Sequence, residues 1–326
     1  MEIDVFTQTI KNRALSLGFD VVGILAAEPV KQPEFLHTWL DQGYQAGMDW
    51  MKNYMDIRLN PASEKLMPGT KSIVCVAMNY YTPDAPNPAP DAVKIAKYAR
   101  GTDYHRVIKD KLNALLKEIQ EMHPGVTGRA LTDSAPLPEK PLAVQAGLGW
   151  LGKNGTVIHP QKGSFLFLGE LLLDIELAYD NTPLPNHCGT CTRCMEACPT
   201  NAIVADRVID ANKCIAYWTI EAKGEPIPQN IADNLEGWVF GCDICQDVCP
   251  WNLKFAAPTP EEMLKPRPWN IAPTATDLLA LDEEGFEERY RKSPLKRAKL
   301  QNLQRNVRAA VPNAVSAMDP SDTLGE

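Results

Sequence analysis

The sequence predicts an α+β fold in three parts: an N-terminal α/β domain over residues 1–180, a small metal-binding domain over 181–256, and a short helical C-terminal region over 257–326. Three observations carry this. Helix-period segments alternate with short β-rich runs up to about residue 180. Eight of the nine cysteines crowd between Cys188 and Cys249. Proline-rich stretches separate the parts. A chain of 326 residues exceeds the usual single-domain size, and its 44% hydrophobic content supplies a large core.

In the first part, residues 4–17 and 104–122 place apolar side chains at helical spacing, while VVGILAA at 21–27 and SIVCVAMNY at 72–80 read as strands. The stretch PDAPNPAPDA at 83–92 is a loop, and NTPLPNH at 181–187 is the linker into the cysteines. Beyond the proline-rich APTPEEMLKPRP at 257–268, helical patterns at 276–280 and 294–311 suggest at most a couple of helices, and a frayed tail closes the chain at 318–326. No internal repeat is present apart from the two cysteine runs.

The N-terminus carries acidic residues where a secretory signal has basic ones. The most apolar run, FLFLGELLLDIEL at 165–177, is broken by Glu170 and Asp174. Neither export nor membrane insertion is indicated, so a cytoplasmic location is expected. A net charge of -8 argues against general nucleic-acid affinity, yet residues 291–308 hold seven Lys or Arg and no acid. That stretch suits RNA phosphates and a solvated helix face equally.

Cys188, Cys191, Cys194 and Cys198, followed by Pro199, form C-x2-C-x2-C-x3-C-P, a ferredoxin-like run whose fourth cysteine ligates the other cluster. Cys242, Cys245 and Cys249, followed by Pro250, repeat the motif with one cysteine missing, which Cys214 can replace. By symmetry Cys188, Cys191, Cys194 and Cys249 hold one [4Fe–4S] cluster, and Cys198, Cys214, Cys242 and Cys245 hold a second. Structural zinc is the competing reading, disfavoured by both Cys-Pro endings and by the crossed stoichiometry. Cys75, inside an apolar strand, reads as a small core residue.

Two clusters move single electrons, and no GxGxxG follows a strand to mark a nicotinamide or flavin site. The acceptor is therefore expected in the first 180 residues. There TDSAPLPEKPLAVQAGLGWLGKN at 132–154 carries Gly147, Gly149 and Gly152, with Gly155 just beyond, letting backbone approach a flat or bulky ligand. His105, His123, His159 and His187 are scattered and read as surface or satisfied core positions.

The motifs RLNP at 58–61, YARGTDYH at 98–105, DSAP at 133–136, GWLGKN at 149–154, the first cysteine run and GCDICQDVCPWN at 241–252 together resemble epoxyqueuosine reductases, a family allied to cobalamin-dependent reductive dehalogenases. The resemblance extends from residue 1 to about 310. It implies a cobalamin, base-off cob(II)alamin, in the N-terminal domain, fed by the two clusters. The implied substrate is an epoxide on the wobble nucleoside of tRNA with a GUN anticodon, bound through the anticodon stem-loop and reduced to queuosine and water. Two electrons and two protons are consumed, with an external low-potential electron donor as partner. Family members commonly continue into a longer helical-repeat domain, so a reduced or differently arranged grip on tRNA is expected here.

By the same resemblance Asp133 is the proton donor, at a strand end facing a cavity, and that role requires a pKa raised by desolvation. Arg58 and Tyr98 match positions near the corrin. Gly152, Lys153 and Asn154 suit contacts with its amide oxygens. Trp218, Trp238 and Trp251 could stack near the clusters or simply pack. Two other readings stay open: a dehalogenase-like corrinoid enzyme acting on a small molecule, and a plain electron carrier, against which the 180-residue N-terminal domain weighs. No signal for oligomerisation is present, and a monomer is expected.

Overall fold

The computed structural model of the chain describes residues 2–180 and 182–312, so the expected frayed tail lies outside the described residues. The N-terminal part is built on a four-stranded sheet of β1 (Val21–Ala26), β2 (Ser72–Asn79), β3 (Gly128–Leu131) and β4 (Leu166–Leu173). Their order is β1-β2-β4-β3, and every pairing is antiparallel. The mixture of helix and sheet agrees with the expected α+β class. Strand β2 is central and covered on both faces, so all eight of its residues are buried. That is why it reads as a continuous apolar run instead of an alternating one.

Helices α1 (Ile3–Ser16) and α2 (Tyr104–Met122) cover one face of the sheet. Along α2 the stripe Ile108, Leu112, Leu115 and Ile119 is fully buried against Val74, Val76 and Leu171. Each such side chain contributes about 1.5–3 kcal/mol on leaving water. The opposite face packs Ile73, Cys75, Ala77 and Leu172 against Leu142 and Ala143 of α3 (Glu139–Gln145). Cys75 is fully buried in this layer. Among the described residues no helix is long and apolar enough to cross a membrane; the interrupted run at 165–177 supplies β4.

The cysteine-bearing part is made of short helices and a hairpin of Ile203–Ala205 with Val208–Ile209. It is tied to the first part by a parallel pairing of Trp238–Phe240 with Lys94–Ile95. It is also tied by the Lys97 ammonium, 1% exposed, which sits 2.8 Å from Asp247, 3.1 Å from Asp84 and 3.7 Å from Asp243. A buried cation is tolerated only with such partners.

The C-terminal region holds three α-helices among the described residues, Ala275–Leu279, Glu283–Tyr290 and Lys299–Ala310, one more than expected. The extra helix is the acidic run. Asp282 caps it by accepting from Gly285 N, and Phe286 and Tyr290, four residues apart, bury one face. Charge masked that short apolar stripe. These helices pack on Val93, Ile95, Ala99, Val239 and Phe240, joining the C-terminal region to both preceding parts.

Candidate functional site

The eight clustered cysteines gather into two groups, and all are free thiols. Cys188, Cys191, Cys194 and Cys249 line a cavity of about 350 Å³ together with Lys153, Asn154, His187 and Trp251. Cys198, Cys214, Cys242 and Cys245 line a second, of about 90 Å³, with Asn154 again on its wall. Each run therefore sends one cysteine to the other's group. Local structure explains the spacing. A tight turn closes Cys191 N onto Cys188 O at 3.0 Å, and Cys249 is the N-cap of the helix Pro250–Phe255, which carries its proline in the first turn.

Burial, reinforced by neighbouring thiols, pushes Cys194, Cys242 and Cys245 up, and burial does the same to Cys214 and Cys249. Amides of Trp251 and Asn252 act in the opposite sense on Cys249. Thiols held this way become thiolates only against the positive charge of a metal. Among the described residues no three His, Cys, Asp or Glu side chains converge as a single metal ion requires. Four thiols around each cavity suit a cubane in number and chemistry.

Strand β3 ends at Leu131, and Asp133 follows with φ 50°, in the left-handed region. Its Oδ2 accepts a hydrogen bond from the Tyr104 hydroxyl and lies 3.4 Å from His105 Nε2. His105 Nδ1 is 2.7 Å from Asp103 Oδ1, which also accepts from His105 N and so caps α2. The Tyr104 ring stacks on Phe167 at 4.2 Å, fixing the hydroxyl. Glu139, at the start of α3, accepts from Asp133 N. Asp133, Tyr98, Tyr104, His105, Glu221, Arg291 and Arg297 line a cavity of about 390 Å³.

The expectation of a raised Asp133 pKa is corrected here. Burial acts upward, but hydrogen bonds from His105 and Tyr104 outweigh it and hold the carboxyl below its ordinary value. The same contacts work on His105: burial pulls it down, yet Asp103 and Asp133 lift it to about 9. His105, read from sequence as a surface or core position, belongs to this site. Tyr104 and Glu139 join it as well. The only sequence signal for Tyr104 and His105 is their place in the YARGTDYH motif.

Lys140 connects the two halves. Its Nζ donates to Gly155 O at 2.8 Å, and burial lowers its pKa while Asp133 and Glu139 on one side and Cys245 and Cys214 on the other raise it. It nonetheless keeps an exposed surface, as a side chain in an open cleft does. Tyr98, half-buried beside Asp133, has no hydrogen-bond partner for its hydroxyl among the described residues, and burial followed by the Asp133 charge pushes its pKa up.

Arg58, Gly152, Lys153 and Asn154 have the following surroundings. Lys153 turns to Asp206 at 3.4 Å, on the wall of the first cysteine cavity. Asn154 donates to Cys245 O at 3.3 Å and accepts from Thr156 Oγ1 at 2.8 Å, so its amide is tied to the second cysteine group while it lines both cavities. Gly152 is needed because a Cβ there would stand 2.5 Å from Ile158 Cδ1, a packing constraint within the loop. The Arg58 guanidinium lies 5.5 Å over Trp50 and donates to Asn53 O at 3.1 Å, with no bond to Asp133 among the described residues. Trp251 lines the first cysteine cavity, Trp238 is buried in packing, and Trp218 donates to Asn212 O.

Comparison with known proteins places these features in a family. Residues 58–134 match the family described as "Epoxyqueuosine reductase QueG, DUF1730", and residues 187–252 match "4Fe-4S double cluster binding domain". An epoxyqueuosine reductase of Cyclobacterium marinum is 46% identical over 307 residues, spanning 94% of this chain and 96% of that relative. A C-terminal region of this size is therefore shared with that relative. The crystal structure of an epoxyqueuosine reductase with an epoxyqueuosine-modified tRNA-Tyr stem loop superposes with a TM-score of 0.85 at 28% identity, covering 93% of this chain and 80% of that one. A Bacillus subtilis epoxyqueuosine reductase, with its catalytic aspartate loop swung out of the active site, gives the same score, identity and coverage. With identity of this order across nearly the whole of both sequences, the chain belongs to the epoxyqueuosine reductase family.

Proposed function

We propose that this chain reduces epoxyqueuosine to queuosine at the wobble position of tRNA and releases water. Cys188, Cys191, Cys194 and Cys249 hold one [4Fe–4S] cluster, and Cys198, Cys214, Cys242 and Cys245 the other. One observation carries the reading: helix α3 reaches both parts, its Glu139 accepting from Asp133 N and its Lys140 donating to Gly155 O, next to the Asn154 that lines both cysteine cavities. The thiol sets fit two cubanes in number and chemistry. Lys140 and the Tyr98 hydroxyl offer donors suited to the amide periphery of a corrinoid, which we read as base-off cob(II)alamin. When bound, the clusters supply single electrons and the corrin the two-electron chemistry that opens the epoxide.

The chain's own residues supply one of the two protons that leave in water, and solvent supplies the second. Between the two pKa values Asp133 is ionised and His105 is protonated, so the proton waits on His105 Nε2 beside Asp133 Oδ2. Asp133 takes it up and presents it to the departing oxygen, while Tyr104 fixes the orientation of the carboxylate. Arg291, Lys296 and Arg297 rim the same cavity and suit the phosphates of an anticodon stem-loop. The substrate is tRNA with a GUN anticodon, an external low-potential donor delivers the electrons, and the chain acts as a monomer.

The test is conversion of an epoxyqueuosine-bearing anticodon stem-loop by anaerobically reconstituted protein. Wild type converts it, and Asp133→Asn loses turnover by at least about a hundredfold with iron and corrinoid content unchanged. Undiminished turnover in D133N would remove Asp133 from the chemistry.

A further inference from the structure

Glu170 lies in the middle of β4, paired with Cys75 of β2 and Leu131 of β3, and is fully buried. Neither of its carboxyl oxygens meets an N–H or hydroxyl donor among the described residues, and the polar group within hydrogen-bond reach is the carboxyl of Glu139. An ionised carboxylate in such a place would stand uncompensated in the apolar layer between sheet and α3, at a cost that neutralisation removes. The carboxyl group that weighs most on it is Glu139, with Asp133 behind, so the charges around it are negative. Burial and these neighbours push Glu170 well above the ordinary carboxyl range. Burial and then Asp133 push Glu139 up to about 7, less far, because the Asp133 amide, a hydrogen bond from Glu170 and His105 favour its ionised form.

Glu139 does a definite job at the other end. It accepts from Asp133 N, the amide of a residue held in the left-handed region without being glycine. Such a conformation persists only where surroundings fix it. The carboxylate end of Asp133 is held by Tyr104 and His105, and the next residue is held by Lys109, whose Nζ donates to Ser134 Oγ at 2.8 Å. Glu139 is the contact that holds the backbone itself. A relative exists with its catalytic aspartate loop swung out, so loops of this kind have a second position.

We propose that Glu139 is a positioning residue that latches the Asp133 loop inward, and that Glu170 carries a proton so that Glu139 can remain the anionic acceptor. The consequence for turnover rests on the reading of Asp133 given above; the latch itself does not.

Hydrogen exchange and infrared spectroscopy on the holoenzyme separate the two. In wild type the Asp133 amide exchanges slowly. In Glu139→Ala it exchanges about ten- to a hundredfold faster, and turnover falls by a similar factor, while Glu139→Gln, which keeps the acceptor oxygen, restores both. At a pH of about 8.5, above the Glu139 value of about 7, wild type shows a protonated-carboxyl band that Glu170→Gln abolishes while amide exchange stays slow. Equal exchange in wild type and E139A, or no protonated-carboxyl band assignable to Glu170, would overturn the proposal. If wild type fails to convert the stem-loop, exchange and infrared still report on the latch.

Discussion

At the scale of single residues, Asp133 and His105 trade properties. Each holds the other charged, so the acid expected from sequence is the lowered member of a pair and the proton sits on the imidazole. The signs oppose: the folded pKa of His105, about 9, lies above its ordinary 6.5, so its contribution to stability is full below 6.5 and lost as pH rises through about 9, whereas the lowered Asp133 loses its contribution as pH falls into the acid range. Turnover is expected to fall over the same alkaline range, and His105→Gln to lower kcat/KM by about a hundredfold and abolish that limb. A pH–rate profile on both proteins measures this. The cysteines were fully legible from spacing, because three ligands in one turn impose a fixed interval. Asp133 was legible only through family resemblance, since nothing local distinguishes it from a loop aspartate. Glu170 was visible only as an acid breaking an apolar run, and its role depends on α3 packing over it.

At the scale of elements, the start of α2 performs two tasks with one side chain. Asp103 accepts from His105 N, closing the helix end, and from the same position orients the His105 ring. Asp103→Ala should cost about 1 kcal/mol of stability for the lost cap, and it should also bring the His105 pKa down toward its ordinary value. Asp103→Asn, which keeps a cap acceptor, should retain the stability and lose part of the pKa shift. Denaturant melts combined with an NMR titration of His105 distinguish the two effects. The boundaries of α2 at 104–122 were legible because its apolar stripe is long and regular, and β2 because an eight-residue apolar run is too short for a buried helix. The helix at Glu283–Tyr290 was not legible, since only Phe286 and Tyr290 mark its buried face among five acidic or basic neighbours.

At the scale of the whole molecule, the cysteine runs cross-pair, the strand Lys94–Ile95 extends the cysteine-bearing part, and the C-terminal helices pack on both. Asn306 makes this explicit: fully buried on the last helix, it donates to Thr219 O at 2.9 Å and Val239 O at 2.8 Å, closing backbone groups beside the cysteines. The three parts read from sequence are therefore coupled through shared cores, and composition could not show this because each contact joins residues far apart in the chain. The most direct test is a single-turnover reaction of chemically reduced holoenzyme with an epoxyqueuosine stem-loop, following cluster and corrinoid spectra and product together. The account predicts about eight irons and one corrinoid per chain, with two reducing equivalents consumed for each queuosine formed. Product formed by corrinoid-free protein, or cluster oxidation unrelated to product, would contradict it.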